Sequence, residues 1–179
     1  MRKITTATVL LVVLLMGCSS EVDEHNKRGI YLLDLGDFET AIASFDKAIE
    51  LDPDHAQAYN GRAFAYASLG QDERALEDLS QAIVLDPDFG NAYYGRGGLY
   101  YDLEQYDKAV EDVSQAIALD PDFAPAYYLR ALNYYYLGRY ERALEDVNTA
   151  ISYAENDEDL DLVFELKRDL LREHPELND

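Results

Sequence analysis

The string Leu-Asp-Pro-Asp occurs at Leu51, Leu85 and Leu119, and its prolines, Pro53, Pro87 and Pro121, stand 34 residues apart. A constant period of that size constrains the fold more tightly than composition does. Each period is one supersecondary unit that cannot bury its apolar face alone, so the units must stack into an array. On this register the chain holds four units, 22–55, 56–89, 90–123 and 124–157.

The third unit shows what each period contains. Tyr93, Gly97 and Tyr100 recur at i, i+4 and i+7, one face of a helix, and Tyr106, Ala109, Val110, Val113, Ala116 and Ile117 mark a second helical face. Leu103-Glu104-Gln105 forms the short turn between them. The other units place Gly36, Gly70 and Gly138 at the position of Glu104. Glycine enters the left-handed conformation of a helix end without a Cβ penalty. Glu104 therefore predicts a turn that is either strained or differently shaped. Asp-Pro-Asp closes a unit because proline cannot continue the helix before it, and the second acid, Asp54, Asp88 or Asp122, is the expected N-cap of the next helix. Ala63, Gly97 and Ala131 on the first helices face Ala75, Ala109 and Ala143 on the second, where a larger side chain would force the pair apart. Ala48, Ala82, Ala116 and Ala150 allow the same approach between units, and Tyr59, Tyr93 and Tyr127 fill the spaces around these contacts.

In these residues the chain resembles the tetratricopeptide repeat family. The third unit supplies Tyr93, Gly97, Tyr100, Tyr106, Ala109, Ala116 and Pro121 at the pattern's large, small, aromatic, aromatic, alanine, alanine and proline positions. The resemblance spans residues 22–157 and departs at the ends, with His25 at the large position of the first unit and Glu155 in place of the closing proline of the fourth. It implies an all-α fold: a right-handed α-solenoid of four helix-turn-helix repeats. Leu160, Val163, Phe164, Leu166, Leu170 and Leu171 follow, interleaved with charges. Residues 158–179 are read as a C-terminal capping helix and tail, since a solenoid needs a final element with a polar outer face.

The N-terminus reads as an address. Arg2 and Lys3 precede an apolar run, Ala7–Met16, of about ten residues. That is half the ~20 needed to span a bilayer and suits a secretory signal. Leu15-Met16-Gly17-Cys18-Ser19-Ser20 resembles the lipobox of bacterial lipoproteins, which implies cleavage after residue 17 and lipid attachment at Cys18, the single cysteine of the chain. The alternative is an ordinary signal cut nearby that leaves a free thiol. Two or more acyl chains anchor a protein stably, and residues 18–21 leave only a short tether. Ser19 after the cysteine implies, by the same resemblance, the outer membrane where the organism has one and otherwise the outer face of the cytoplasmic membrane. With one cysteine no intramolecular disulfide can form.

The chain carries 15 basic and 36 acidic residues, a net charge of −21. Both Arg2 and Lys3 precede Cys18 and no acid does, so the balance from Cys18 onward is −23. Such a surface repels nucleic acid and anionic lipid, so no nucleic-acid partner is expected and any membrane contact runs through the lipid anchor. The acids on the second helices, such as Glu73, Glu77, Glu111 and Glu145, form a solvated outer face.

The family resemblance implies a concave groove lined by first helices that receives a peptide segment. Transferred by register, its slots hold Asn60 and Phe64 in the second unit, Asn91, Tyr94 and Tyr101 in the third, and Tyr128, Leu132 and Tyr135 in the fourth. Tyrosine supplies rigid contact area with one hydroxyl, and asparagine bonds a peptide backbone as donor and acceptor. Tyr94 and Tyr128 point about 100° away from Tyr93 and Tyr127 on their helices and so are not expected to share their packing role. The slots contain no cation for clamping a C-terminal carboxylate. Arg28, Arg62, Arg96 and Arg130 share one register position. Pairing of Arg62, Arg96 and Arg130 with Asp78, Asp112 and Asp146 is expected in place of groove exposure, with Arg28 unpaired because Ser44 replaces its acid. His25, His55 and His174 lie apart, and no metal-ligand spacing, phosphate loop or nucleophile motif occurs. No catalytic residue, metal or cofactor is therefore assigned. The sequence points to a non-catalytic, membrane-anchored scaffold for a segment of another envelope protein, with a self-associating, homo-oligomeric repeat lipoprotein or a non-catalytic subunit of an envelope assembly or wall-enzyme complex as the alternatives.

Overall fold

The computed structural model describes residues 21–154 and 157–178; the signal segment and Cys18 lie outside them. Among the described residues every regular element is helical. They are α1 (21–34), α2 (Phe38–Leu51), α3 (Ala56–Ser68), α4 (Asp72–Leu85), α5 (Gly90–Asp102), α6 (Tyr106–Leu119), α7 (Ala124–Tyr136), α8 (Tyr140–Tyr153) and α9 (Asp157–Glu173), closed by a 3-10 turn at Pro175–Asn178. No helix among them is long and apolar enough to cross a membrane. The chain forms two compact units, Met1–Pro87 and Asp88–Asp179.

The first unit holds α1–α4. Its second helices bury one quartet each: Ala41, Ser44, Phe45 and Ala48 on α2, and Ala75, Asp78, Leu79 and Ala82 on α4. The spacing i, i+3, i+4, i+7 sets each quartet on one helical stripe. Phe45 is fully buried and its ring reaches both α1 and α3. It can do so because Gly29 and Gly61 present no side chain there: a Cβ on either would overlap the Phe45 ring.

The second unit holds α5–α9 and repeats the quartet as Ala109, Asp112, Val113 and Ala116 on α6, and Ala143, Asp146, Val147 and Ala150 on α8. Where the central residue shrinks to Val113, the facing helix positions grow: Gly97 still abuts Val113, but Leu129 of α7 joins the same core. Around Val147 the partners are Ala131 and Val163. α9 contacts α8 and α7 much as α7 contacts α6 and α5. It lays Val163, Leu166 and Leu170 over Ala143, Val147 and Ala150, as expected of a cap.

Each hairpin turns through the same hydrogen-bonded end. In the third turn Glu104 N–H donates to Tyr101 O (2.9 Å) and Gln105 N–H to Tyr100 O (2.8 Å). The three glycine turns show the same pair, for example Gly70 N–H to Ala67 O and Gln71 N–H to Tyr66 O (both 2.9 Å). This is the Schellman arrangement, which demands a left-handed residue. Glu104 meets it at φ 58°, beside 74°, 69° and 68° for Gly36, Gly70 and Gly138. The turn keeps its shape and carries the strain.

The Asp-Pro-Asp links correct one expectation. The N-caps of α3, α5 and α7 are His55, Phe89 and Phe123, without side-chain capping bonds. The second aspartate is not the cap. Instead the first aspartate closes the preceding helix: the Asp52 and Asp120 carboxylates accept from the N–H groups of Asp54 (3.1 Å) and Asp122 (3.4 Å). An aspartate bonds its own backbone two residues on readily, and that local turn outcompetes capping of the helix that follows. Asp37, ahead of α2, does cap with its side chain, accepting from Thr40 N–H (3.3 Å).

Candidate peptide-binding surface

The arginine column faces away from any groove. Arg62 donates through Nε and Nη2 to Asp78 (2.7 and 2.7 Å), Arg96 to Asp112 (2.7 and 2.8 Å) and Arg130 to Asp146 (2.7 and 2.7 Å). Two parallel bonds to a carboxylate are the guanidinium's best geometry. The carboxylates are nearly buried, and the hydrogen bonds to them hold all three guanidinium pKa values above the ordinary arginine range. The remaining nitrogen reaches back one hairpin: Arg62 Nη1 meets Asp46 on α2, and Arg130 Nη1 meets Ser114 on α6 (3.1 Å). One side chain thus joins its own hairpin and the preceding one. Ser44 donates to Thr40 O (3.0 Å), and exposed Arg28 forms no ion pair among the described residues.

With these arginines occupied, α3, α5 and α7 present mainly neutral side chains, whereas α1 also exposes Lys27, Arg28 and several acids. In the first unit Phe64 is 59% exposed and Ile30, one period earlier, 47%, with Asn60 half-buried beside them. In the second unit Asn91 is exposed and the tyrosines form an aromatic strip. Tyr94 packs edge-on against Phe123 at 4.9 Å. Tyr101 lies 5.8 Å from Tyr136 and 6.1 Å from Tyr106, and Tyr106 and Tyr136 stack at 5.0 Å. Burial, followed by the contact with Tyr136, raises the Tyr101 hydroxyl pKa. Tyr128 and Leu132 are half-buried against the α8–α9 core.

Two features of this strip depart from the sequence reading. Tyr94 and Tyr128 do share in packing, because the adjacent hairpin rises beside them, a contact invisible in the geometry of one helix. Tyr135 points to the chain's own terminus: its hydroxyl donates to Glu173 Oε2 at 2.7 Å. That bond raises the Tyr135 pKa to about 12 and holds Glu173 below the usual carboxylate value. The His174 ring stacks on Tyr140 at 3.6 Å, so the last turn of α9 covers the far end of the strip.

At the near end the strip opens into a cavity of about 180 Å³. Tyr94 of α5 and Ala124, Pro125 and Tyr128 of α7 form one side; Ala150, Ala154, Leu162 and Val163 form the other. The contribution of α9 was absent from the sequence reading, which gave that helix a capping role alone. One signal pointed to it: Leu162 lies one 34-residue period beyond Tyr128, itself one period beyond Tyr94.

Stacked helical hairpins with alanine seams define the α-solenoid class of helix-turn-helix repeats. Tetratricopeptide repeat models match residues 26–88, 90–123 and 124–157, and the chain belongs to the tetratricopeptide repeat family. Its structure is similar to a crystal structure of MamA (25% identity, TM-score 0.65, covering 83% of this chain and 95% of that one). It is also similar to the second tetratricopeptide domain of human RPAP3 in complex with the HSP70 peptide SGPTIEEVD (26% identity, TM-score 0.61, covering 65% and 97%). The fold alone is shared with Pseudomonas aeruginosa pilF (22% identity, TM-score 0.82, covering 89% and 72%). No curated protein matches the chain.

Proposed function

We propose that this protein is a non-catalytic scaffold, anchored to a bacterial membrane through a lipid on Cys18, that holds a peptide segment of another envelope protein against its first helices. The observation that carries the reading is the aromatic strip of the second unit, where tyrosines from successive first helices line an apolar cavity. Large rigid aromatic surface with few charges is what recognition sites concentrate. The RPAP3 domain, of the same fold, holds a peptide. That peptide ends in Glu-Glu-Val-Asp; here Tyr94 and Tyr128 supply no cation to receive such a tail, so the partner differs in chemistry. The lipobox supports the anchoring. A photo-crosslinking residue at Leu132, in cells, is expected to capture one envelope protein at one mapped segment, and Cys18→Ser to release the scaffold from the membrane fraction. Scattered crosslinks without a common segment would remove the scaffold reading.

A second reading, self-association, has one observation in its favour. Tyr31 on α1 is 62% exposed, whereas the same register position is buried as Ala65, Leu99 and Asn133. With Ile30 and Leu35 it leaves an apolar face at the start of the array. Light scattering of the delipidated chain tests it: a mass that stays monomeric as concentration rises excludes self-association.

A further inference from the structure

We infer that the cavity between α7 and α9 accepts one aliphatic side chain of a peptide whose neighbouring residues are lysine or arginine. This rests on the peptide-scaffold reading and names the chemistry of the ligand.

The repeat changes at the cavity. In the earlier units the residue closing the second helix is Asp52, Asp86 or Asp120, near φ −137° and ψ 93° on average (−140°/95°, −136°/92° and −135°/91°). In the fourth it is Ala154, at φ −64° and ψ 125°, and Asp-Pro-Asp becomes Ala154-Glu155-Asn156. Ala154 lines the cavity with a methyl group. Leu162, 56% exposed, forms the opposite wall in place of another tyrosine. At about 180 Å³ the cavity admits one large aliphatic side chain and is too small for a helix. Its lining is alanine, proline, valine and leucine with two tyrosine rings. The Tyr128 hydroxyl makes no hydrogen bond to a described residue, and burial foremost, then Glu165, raises its pKa.

Charge selects what flanks that side chain. Among the described residues of α9, Asp161 adjoins Leu162 in the chain and Glu165 acts on the Tyr128 hydroxyl. Of the nearby cations on α9, Arg168 pairs with Glu165 (3.2 Å) and Lys167 is drawn to Asn148 on α8 (2.7 Å). From residue 88 onward 21 acids face 8 bases. A peptide with acidic flanks is repelled and one with basic flanks is drawn in.

The test is fluorescence polarisation on the full chain in detergent with three labelled 12-residue peptides: a central leucine between lysines and arginines, the same leucine between glutamates, and the basic peptide with serine for leucine. The basic leucine peptide is expected to bind at least tenfold tighter than either control and to weaken with added salt. Ala154→Phe fills the cavity from its wall and should weaken that binding by on the order of ten- to a hundredfold. Leu162→Gln, at an exposed position, should weaken it in the same direction and decides the matter where Ala154→Phe alters the helical circular dichroism. Equal binding of the serine peptide, or wild-type binding by both variants, overturns the inference; if such binding then disappears on Phe64→Ala, the broader scaffold reading survives. Failure of all three peptides to bind also overturns it, and leaves the scaffold reading to the crosslinking experiment.

Discussion

Glu104 is a residue in a glycine's place. Its φ of 58° is the left-handed conformation that costs an L-residue roughly 1–2 kcal/mol, against roughly 0.5–1 kcal/mol of extra chain entropy that glycine loses on folding. Glu104→Gly should therefore stabilise the protein by about 0.5–1 kcal/mol, read as a higher urea midpoint at unchanged slope; a lower midpoint would mean that the Glu104 side chain makes a compensating contact. Phe45 and its two glycines form a different kind of residue-level dependence. Gly61→Ala places a methyl group in the Phe45 ring and should cost about 1–3 kcal/mol by overpacking. Phe45→Leu frees that space, so the double variant should lose less than the two single losses combined. Strict additivity in the melts would show that the ring moves aside at no cost.

At the scale of helices, the arginine–aspartate pairs tie α3 to α4, α5 to α6 and α7 to α8. Asp112 is 10% exposed in its side chain and Arg96 20%, so removing the carboxylate takes the main counter-charge from a largely desolvated cation. Asp112→Ala is expected to cost about 2–4 kcal/mol, whereas Arg96→Met with Asp112→Leu should come close to the parent. Equal losses in both variants would mean that the pair itself supplies net stability. The end of α9 is held differently, by Tyr135 and Glu173. Glu173 is depressed by the Tyr135 hydroxyl, so its contribution is complete above the ordinary value of 4.5 and lost as pH falls through the lowered one. Tyr135 is raised, so its contribution is complete below 10.0 and lost as pH climbs through about 12. The NMR shift of the Glu173 side-chain carboxyl carbon should therefore titrate with a midpoint below 4.5. In Tyr135→Phe that midpoint should move up toward the ordinary value of 4.5; an unchanged midpoint would assign the depression to Arg172 instead.

For the molecule as a whole, the acid excess is the governing quantity. At −21 the chain repels itself, and screening relieves that repulsion. Raising ionic strength from about 0.01 M to 0.15 M shortens the Debye length from roughly 30 Å to 8 Å. The melting temperature should rise over that range despite the ion pairs it contains. A fall would show that the Arg62, Arg96 and Arg130 pairs outweigh the general repulsion.

The residues alone determined the helical hairpins, their turns, the alanine seams and the arginine–aspartate pairs, because each depends on spacings within one period that the chain repeats. Tertiary structure decided what depends on neighbours. Tyr94 and Tyr128 became half-buried only because the adjacent hairpin stands against them, and no single-helix projection contains that neighbour. The Asp-Pro-Asp turn chose its first acid over its second through a contest of two local hydrogen bonds that the same letters permit equally. The cavity at Ala154 and the cover over Tyr135 come from α9, whose sequence shows an apolar stripe but not which side chains the last repeat will meet. Packing across helices is set by where surfaces come to rest, and that position is a property of the folded chain.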